Sequence, residues 1–545
     1  MRWRDLIFVV VTIGAGLALV RGAIHLPAAS GSGRPAGASA STAAAARAAG
    51  IRPVVAELDA AYRWDWSAHG IQPAPPADEL TVMRRLSLAL TGTIPSLEEL
   101  RRFEARPAGT RLDAWLDDLL HDRRTADFLA ERFARAFVGT EDGPFIVFRR
   151  RRFASWLSDA ILEDRAYDAI VRDMVADRGL WTDHPATNFV SVTFNPEVER
   201  PDPERLAARV SRAFLGVRID CAQCHDHPFQ PWKQDDFRGL AAYFGGVYSS
   251  LRGIRDREST YKPIDRKTKA ELTVAPRVPF RPELVPDAGT PRERLAAWIV
   301  NPANPNLARA TVNRVWAILF GRPLVDPVDD LPVDAAPPPA LDLLAADFSG
   351  HGYDLHRLIR IIASSEAFRL DSTDPPSGDS KPAAPREETW AAFPLVRLRP
   401  EQVAGALFQA ASLPTLGSQS HWFVRLATYT GRNDFVRRYG DTGDDEFNAT
   451  GGTIPQRLLL MNGEIVKEKT GRGLFSASQR IAELAPDDRA AVEVAYLTVL
   501  TRRPSPEESA HFAGRLANTS GDERKDRLTD LFWTLVNSTE FSWNH

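Results

Sequence analysis

The stretch DELTVMRRLSLALTGTIPSLEE, residues 78–99, carries the clearest structural signal in the sequence. Its apolar side chains recur at helical spacing, at Leu80, Met83, Leu86 and Leu90. That spacing predicts a helix over about 78–90, which Gly92 ends. Ser96, with Glu99 three residues further on, forms a capping box that starts the next helix. The stretch therefore predicts closely spaced, packed helices.

The same periodicity recurs along most of the chain, whereas convincing strand alternation is scarce. Further helices are predicted at about 111–120, 125–137, 152–162, 167–176, 202–217, 291–300, 307–320, 339–348, 354–364, 399–411, 454–462, 476–484, 490–500, 506–518 and 523–537. The polar, proline-containing segment 249–286 predicts an extended linker or a small β element. We expect an all-α fold of two helical domains with long loops, over 51–248 and 289–545, with a linker at 249–288.

Composition limits the classes of function. The 545 residues include 44% hydrophobic residues and 13 tryptophans, which is enough for more than one core. Two cysteines cannot supply a disulfide framework. A formal net charge of −3 gives no indication of nucleic-acid binding. No Ser/His/Asp spacing, phosphate-binding loop or paired-carboxylate motif rises above background, so no catalytic residue is assigned and an enzymatic role is left open.

The amino terminus predicts export. Arginines precede an uncharged run from Leu6 to Val20, which is typical of a signal peptide or signal anchor within residues 1–27. We favour an uncleaved inner-membrane anchor formed by residues 6–26, with the body of the protein periplasmic or at the cell surface. Residues 28–50, rich in Ala, Ser and Gly, predict a disordered tether.

The only two cysteines lie in the stretch Cys221-Ala-Gln-Cys224-His225, which matches the C-x-x-C-H signature of covalent haem c attachment. Two thiols at this spacing can each add to a vinyl group of one porphyrin while the adjacent imidazole ligates iron. We therefore predict Cys221 and Cys224 as haem-binding residues and His225 as the metal ligand. The helix predicted over 202–217 runs almost directly into the motif.

Two other interpretations of the motif stay open. Cys221, Cys224, His225 and His227 are all zinc-binding residue types, although four ligands from so short a segment are sterically tight. Alternatively, the cysteines form a dithiol that cycles through a structural or redox disulfide.

The surroundings of the motif leave the second axial position of the iron open. The only methionine after the motif is the distant Met461. The alternatives are five-coordinate iron or a histidine ligand, from the set His121, His184, His351 and His356, whereas His227 is expected to be a supporting or surface group. Candidate partners for haem propionates, otherwise surface charges, are Arg218, Lys233 and Arg238. Residues that form an apolar wall or ordinary core are Phe229, Trp232, Phe237, Tyr243 and Phe244.

Weaker patterns lie elsewhere. The basic run Arg149 to Arg152 predicts a solvated face, with partner docking as the alternative. Three carboxylates suit a hard cation such as calcium, or simply a capped loop, at Asp326, Asp329 and Asp330. The polar side chains of Asn313 and Arg314, on an apolar helix, are expected to be packing residues.

Two longer sets of motifs resemble known families. The first set runs from Arg84-Arg85-Leu86 and Leu90-Thr91-Gly92 through Ala213 to Val217 into Cys221 to Phe229, then Gln234 to Phe237 and Ala241 to Phe244. It resembles the planctomycete cytochrome-type family PSCyt2 (DUF1549) over about 52–247. The second set includes Leu295 to Trp298, Val312 to Trp316, Phe320 to Arg322, Val325 to Asp330, His351 to Leu355 and the segment from Asn537 to His545. It resembles the companion family PSD1 (DUF1553) over about 291–545.

The resemblance implies a haem-type motif but no particular reaction. Together with the residues, it favours an exported, membrane-anchored protein with one covalent haem c, acting in extracytoplasmic electron transfer or haem-based redox chemistry with an unknown redox or cell-surface protein partner. The competing hypothesis is a non-haem cell-surface interaction protein with a structural metal or disulfide at Cys221 and Cys224.

Overall fold

A computed structural model describes residues 38–140, 148–265, 269–332, 336–372, 386–417, 434–440, 447, 453–463, 466–468 and 476–545. Helices dominate these residues, which confirms the prediction of a mostly helical protein. In chain order they are α1 Ala38–Ala68, α2 Glu79–Thr91, α3 Leu97–Glu104, α4 Arg111–Leu120, α5 Arg123–Val138, α6 Arg150–Leu162, α7 Tyr167–Ala176, α8 Asn188–Ser191, α9 Pro203–Val210, α10 Gln234–Ala242, α11 Pro291–Ile299, α12 Asn306–Phe320, α13 Pro339–Gly350, α14 Leu355–Ser364, α15 Glu366–Arg369, α16 Pro400–Ala410, α17 Ile454–Asn462, α18 Ala477–Leu484, α19 Asp488–Leu500, α20 Pro506–Leu516 and α21 Gly521–Val536.

Local capping fixes the ends of α2 and the start of α3, as the sequence predicts. The side chain of Asp78 accepts a hydrogen bond from the backbone N–H of Leu80 at 3.0 Å. Gly92 caps the other end with φ 66°, in the left-handed region that favours glycine. Ser96 and Glu99 form the reciprocal capping box that begins α3.

α2 is buried on every side rather than along one stripe. Met83 and Leu86 belong to a large core that also contains Trp298 and Trp316 from the carboxy-terminal half. Leu88 belongs to a second core, together with Leu398, Leu407, Tyr496 and Phe532. Residues 48–545 form one compact unit, and both cores draw on each of the two predicted domains.

Strands are short and antiparallel among the described residues. They form three two-stranded pairs: β1 Phe194–Asn195 with β2 Arg200–Pro201, β3 Val247–Ser250 with β4 Gly253–Asp256, and β5 Val396–Arg397 with β6 Trp543–Asn544. The hairpin of β3 and β4 lies at the start of the segment predicted to hold a linker or a small β element.

The first helix begins inside the predicted tether. α1 starts at Ala38, so it includes residues 38–50 of the predicted tether. Alanine offers little apolar surface to bury but is the strongest helix former. The predicted anchor at 6–26 and the rest of the tether lie outside the described residues. No helix in the described part of the chain is long and apolar enough to cross a membrane.

The helix predicted over 202–217 is shorter than expected. α9 ends at Val210 and continues as one π-helical turn, Ser211–Leu215. Gly216, with φ 63°, then reverses the chain, and a Cβ at this position would lie 3.1 Å from the Cβ of Ala310. The cysteine motif is therefore separated from α9 by an irregular segment.

Candidate functional site

The two cysteines lie on a surface turn. Residues 220–223 form one 3₁₀ turn, and Cys224 follows as its carboxy-terminal cap. Both thiols are exposed, and they are not joined in a disulfide. The neighbouring side chains of Ile219 and Ala222 are fully buried, which holds the turn against the core. We call residues 220–230 the motif turn.

Polar contacts fix the motif turn from its base. Asp220 accepts a hydrogen bond from Nε of Arg212 at 2.6 Å. The side-chain amide of Gln223 donates to Glu204, whose other carboxylate oxygen accepts from the Tyr261 hydroxyl at 2.8 Å. Burial, reinforced by the charge of Glu204, raises the pKa of Tyr261, so its hydroxyl stays a donor. The backbone beneath the cysteines is thus held by side chains from α9 and from the polar segment.

The orientation of His225 leaves one ring nitrogen accessible for a metal. The ring is exposed, and its Nδ1 lies 2.7 Å from the backbone oxygen of Asp226. Because a carbonyl oxygen can only accept, Nδ1 must carry the proton and Nε2 must carry the lone pair. A histidine that ligates a metal through one nitrogen commonly donates the other N–H to a carbonyl in this way.

His227 has the opposite arrangement. Its Nδ1 accepts hydrogen bonds from the backbone N–H groups of Phe229 at 3.2 Å and Gln230 at 3.0 Å. The same nitrogen therefore cannot bind a metal without breaking the turn. In the described residues no group of three or more His, Cys, Asp or Glu side chains is placed to hold a metal ion.

The donor set of the motif turn fits haem c, whereas the predicted apolar wall is mostly core. Two exposed thiols beside an imidazole with a free Nε2 lone pair are the groups that attachment needs. Four of the five wall candidates are buried in the large core: Trp232, Phe237, Tyr243 and Phe244. Phe229 instead is 92% exposed beside the motif. A porphyrin attached here is expected to retain a solvent-exposed edge.

The charged residues predicted near the motif are already ion-paired. Arg218 binds Asp329 at 2.7 Å, Lys233 lies 3.4 Å from Asp226, and Arg238 lies 3.2 Å from Asp265. The backbone N–H of Arg218 and the side chain of Gln230 both donate to Asp330. Of the three candidate calcium ligands, Asp330 therefore anchors the motif turn through Gln230, and Asp329 holds Arg218 just before it.

The basic run at the start of α6 also has internal partners. Arg150 forms two hydrogen bonds to the carboxylate of Glu131, and Arg152 donates to the backbone oxygen of Thr182. The guanidinium of Arg149 lies 5.1 Å from the ring centre of Trp181. These contacts support an intramolecular role.

None of the predicted second axial ligands contacts the motif turn through a hydrogen bond, ion pair or ring contact within the described residues. His184 pairs with Asp177, and His351 with Asp347. The rings of His121 and His356 lie 6.2 Å apart, and burial lowers the pKa of His356. Met461 is partly exposed on α17, where its backbone oxygen accepts from Trp533.

A cavity that the sequence did not predict lies beside the motif turn. Its volume is about 310 Å³, and Asp220, the first residue of the turn, contributes to its wall. Arg314 also lines it, although this side chain was expected to be a packing residue. The sequence does contain a signal for this role of Arg314: it is a charged residue flanked by Val312, Val315 and Trp316 on an apolar helix.

Comparisons with known proteins match two segments of the chain. Residues 57–249 match the family model PSCyt2, described as a protein of unknown function (DUF1549). Residues 291–440 match the family model PSD1, also described as a protein of unknown function (DUF1553). No curated protein and no solved structure matches the chain.

Proposed function

We propose that this chain, which carries a PSCyt2 domain followed by a PSD1 domain, is an exported c-type haem protein acting in extracytoplasmic electron transfer or haem-based redox chemistry. The observation that carries the proposal is the motif turn. It presents two exposed thiols next to an imidazole whose Nδ1–H is held by the backbone oxygen of Asp226. Its Nε2 is therefore the nitrogen available to iron.

Each residue of the turn has a defined role in this proposal. Cys221 and Cys224 hold the porphyrin through thioethers, and His225 binds iron through Nε2. Asp226 orients the imidazole by accepting its Nδ1–H. When bound, the haem supplies one-electron redox chemistry, and the exposed position of the turn suits contact with a redox partner at the haem edge.

The location of the protein is part of the proposal. The charged and apolar pattern of the first residues supports export, with anchoring through residues 6–26 and the helical body on the outer side of the inner membrane. Haem c is attached after export, so location and cofactor are consistent. We also propose that the linker 249–288 divides the chain into two domains. Its partner in this proposal is a cell-surface or redox protein.

Covalent haem can be tested directly. The exported region is expressed in a host with a cytochrome c maturation system and run on a denaturing gel that is stained for haem. We expect haem to remain with the chain, and to be lost in the matched variant Cys221→Ser/Cys224→Ser. Absence of stain in the parent, while a control cytochrome in the same host is loaded, would refute the proposal. Bound zinc or alkylation-resistant cysteines in the haem-free protein would favour the metal or disulfide alternative.

Carbon monoxide distinguishes electron transfer from chemistry at an open iron. If the second axial position of the iron is open, the reduced protein should bind carbon monoxide rapidly. An optical spectrum recorded before and after addition gives the answer. A low-spin reduced spectrum that carbon monoxide does not change would instead indicate a saturated iron and electron transfer alone.

A further inference from the structure

The strongest feature outside the motif is the cavity beside it. It has a volume of about 310 Å³ and is lined by six arginines: Arg135, Arg205, Arg209, Arg212, Arg218 and Arg314. They come from α5, α9, the π-helical turn, the segment after Gly216 and α12. The volume is at the lower end of the range for small-molecule sites. Its size suits a small ligand.

Two of the three carboxylates in the wall are engaged by particular arginines, and the third, Asp326, is exposed. Asp220 pairs with Arg212, and Asp329 pairs with Arg218. Arg135 lies 3.1 Å from a Glu131 oxygen that Arg150 also binds. Asp220, Asp329 and Glu131 therefore pair with neighbouring arginines and not with Arg314.

Arg314 is the unusual member of the set. Its side chain is only 6% exposed, yet no described residue forms a hydrogen bond or ion pair with it. A largely buried guanidinium without a protein partner is stabilised when an anion occupies the space it faces. Its planar fork matches phosphate, sulfate and carboxylate oxygens.

Part of the cavity wall is fixed by the residue before Arg314. Asn313 is fully buried and donates to the backbone oxygens of Val325 and Val328, while its own oxygen accepts from the N–H of Val325. These bonds hold residues 325–328 in place, and Asp326 to Val328 line the cavity. This part of the wall is therefore preformed.

We propose that this cavity binds a small anionic ligand through a phosphate, sulfate or carboxylate group, with Arg314 as its central contact. The inference is independent of haem attachment. Arg205, which is exposed at the rim, adds charge to the same ligand.

The test uses the haem-free variant Cys221→Ser/Cys224→Ser, so that failure of haem attachment cannot affect it. Thermal unfolding is measured in chloride buffer and after replacement of chloride by about 10 mM inorganic phosphate, sulfate or acetate at constant ionic strength. We expect Tm to rise by about 2 °C or more with at least one of these anions. Calorimetric titration with the same anion gives its Kd.

Two substitutions of buried arginines make a matched pair. Arg314→Met removes an unpartnered charge, so Tm in chloride should rise and the response to the anion should be lost. Arg292→Met removes a guanidinium that binds both oxygens of Asp256 at 2.7 Å, so Tm should fall while the response remains. Arg205→Met, at an exposed position where folding is not at risk, should weaken anion binding about three-fold.

Two results would overturn the assignment. One is the absence of any response to phosphate, sulfate or acetate in the parent. The other is a response that persists unchanged in both Arg314→Met and Arg205→Met, which would locate the anion elsewhere.

Discussion

Polar side chains are exposed in the motif turn, whereas the polar pair Arg84 and Arg85 on α2 is buried. The turn places its reactive side chains in solvent and is held by neighbours in space through side-chain contacts. The arginine pair is 1% and 0% exposed and binds backbone oxygens. Arg85 donates to the carbonyls of Phe368, Leu370 and His545, and Arg84 to those of Val499 and Phe541. The first region exposes its polar side chains, and the second uses them to connect distant parts of the chain.

This difference determines which of the two regions can be predicted from the sequence. The motif turn depends on residue types at a fixed local spacing, and these are visible in the chain. Three of the four hydrogen-bond partners of Arg85 are backbone oxygens, and they lie 283 to 460 residues away, so residue types in the sequence do not indicate them. The predictions below test whether the two regions are as distinct as their contacts indicate.

The largest effect is expected at Arg85. Arg85→Ala leaves three buried carbonyls without their donor and removes the stacking of the guanidinium at 3.8 Å over Phe393. We expect a loss of about 3–5 kcal/mol in the free energy of unfolding. Urea denaturation followed by circular dichroism measures it.

The exposed Arg102 on α3 provides the control for Arg85. Arg102→Ala should change the free energy of unfolding by less than about 0.5 kcal/mol. Equal effects of the two substitutions would show that the buried pair does not hold the regions of the chain together.

The second largest effect is expected in the pH dependence of stability, and it arises from His545 beside the same arginine pair. Burial, with the positive charges of Arg84 and Arg85, lowers the pKa of His545 to about 4. The unfolded chain therefore binds the proton more readily than the folded one below about pH 6.5. Stability should fall by on the order of 3 kcal/mol as the pH drops from about 6.5 to about 4.

Asparagine at the same position isolates the contribution of the imidazole. His545→Asn keeps the backbone oxygen that Arg85 binds and should flatten this part of the pH profile. Burial also lowers the pKa of His356, so a smaller loss of the same sign should remain. A profile identical to that of the parent would contradict the assignment to His545.

A smaller effect is expected at Gly216, between α9 and the motif turn. Its φ of 63° disfavours any side chain, and an added Cβ would lie 3.1 Å from Leu331 Cδ1. Gly216→Ala should lower the free energy of unfolding by about 1–2 kcal/mol. Gly514→Ala, at a helical position with open space around it, is the control and should be neutral or slightly stabilising.

The smallest effect on stability is expected in the motif turn itself. In the haem-free protein, Cys221→Ser/Cys224→Ser changes two exposed side chains, so the urea midpoint should move by less than the equivalent of about 0.5 kcal/mol. The same variant should lose all covalent haem. A large loss of stability would instead show that the cysteines stabilise the fold, as the buried arginines of α2 do, and would contradict this prediction.

Local signals predicted the helices well, because caps and periodicity are encoded nearby. Asp78, Gly92, Ser96 and Glu99 have the capping roles that the sequence predicts. Burial of Arg84 and Arg85 could not be predicted in the same way, since apolar periodicity suggested one stripe of α2. The end of α9 at Val210 was missed because Val210, Phe214 and Leu215 continue the helical spacing of apolar residues through the π-helical turn. Arg314 was missed because its environment is created by α5 and α9, far away in the sequence.

The most direct test of the central claim is peptide mass spectrometry of the exported protein. Trypsin cleavage after Arg218 and Lys233 releases residues 219–233, which contain both cysteines of the chain. After alkylation, we expect this peptide to carry the added mass of one haem and no alkylated thiol. The same peptide with two alkylated cysteines, from a host that loads haem onto a control cytochrome, would contradict it.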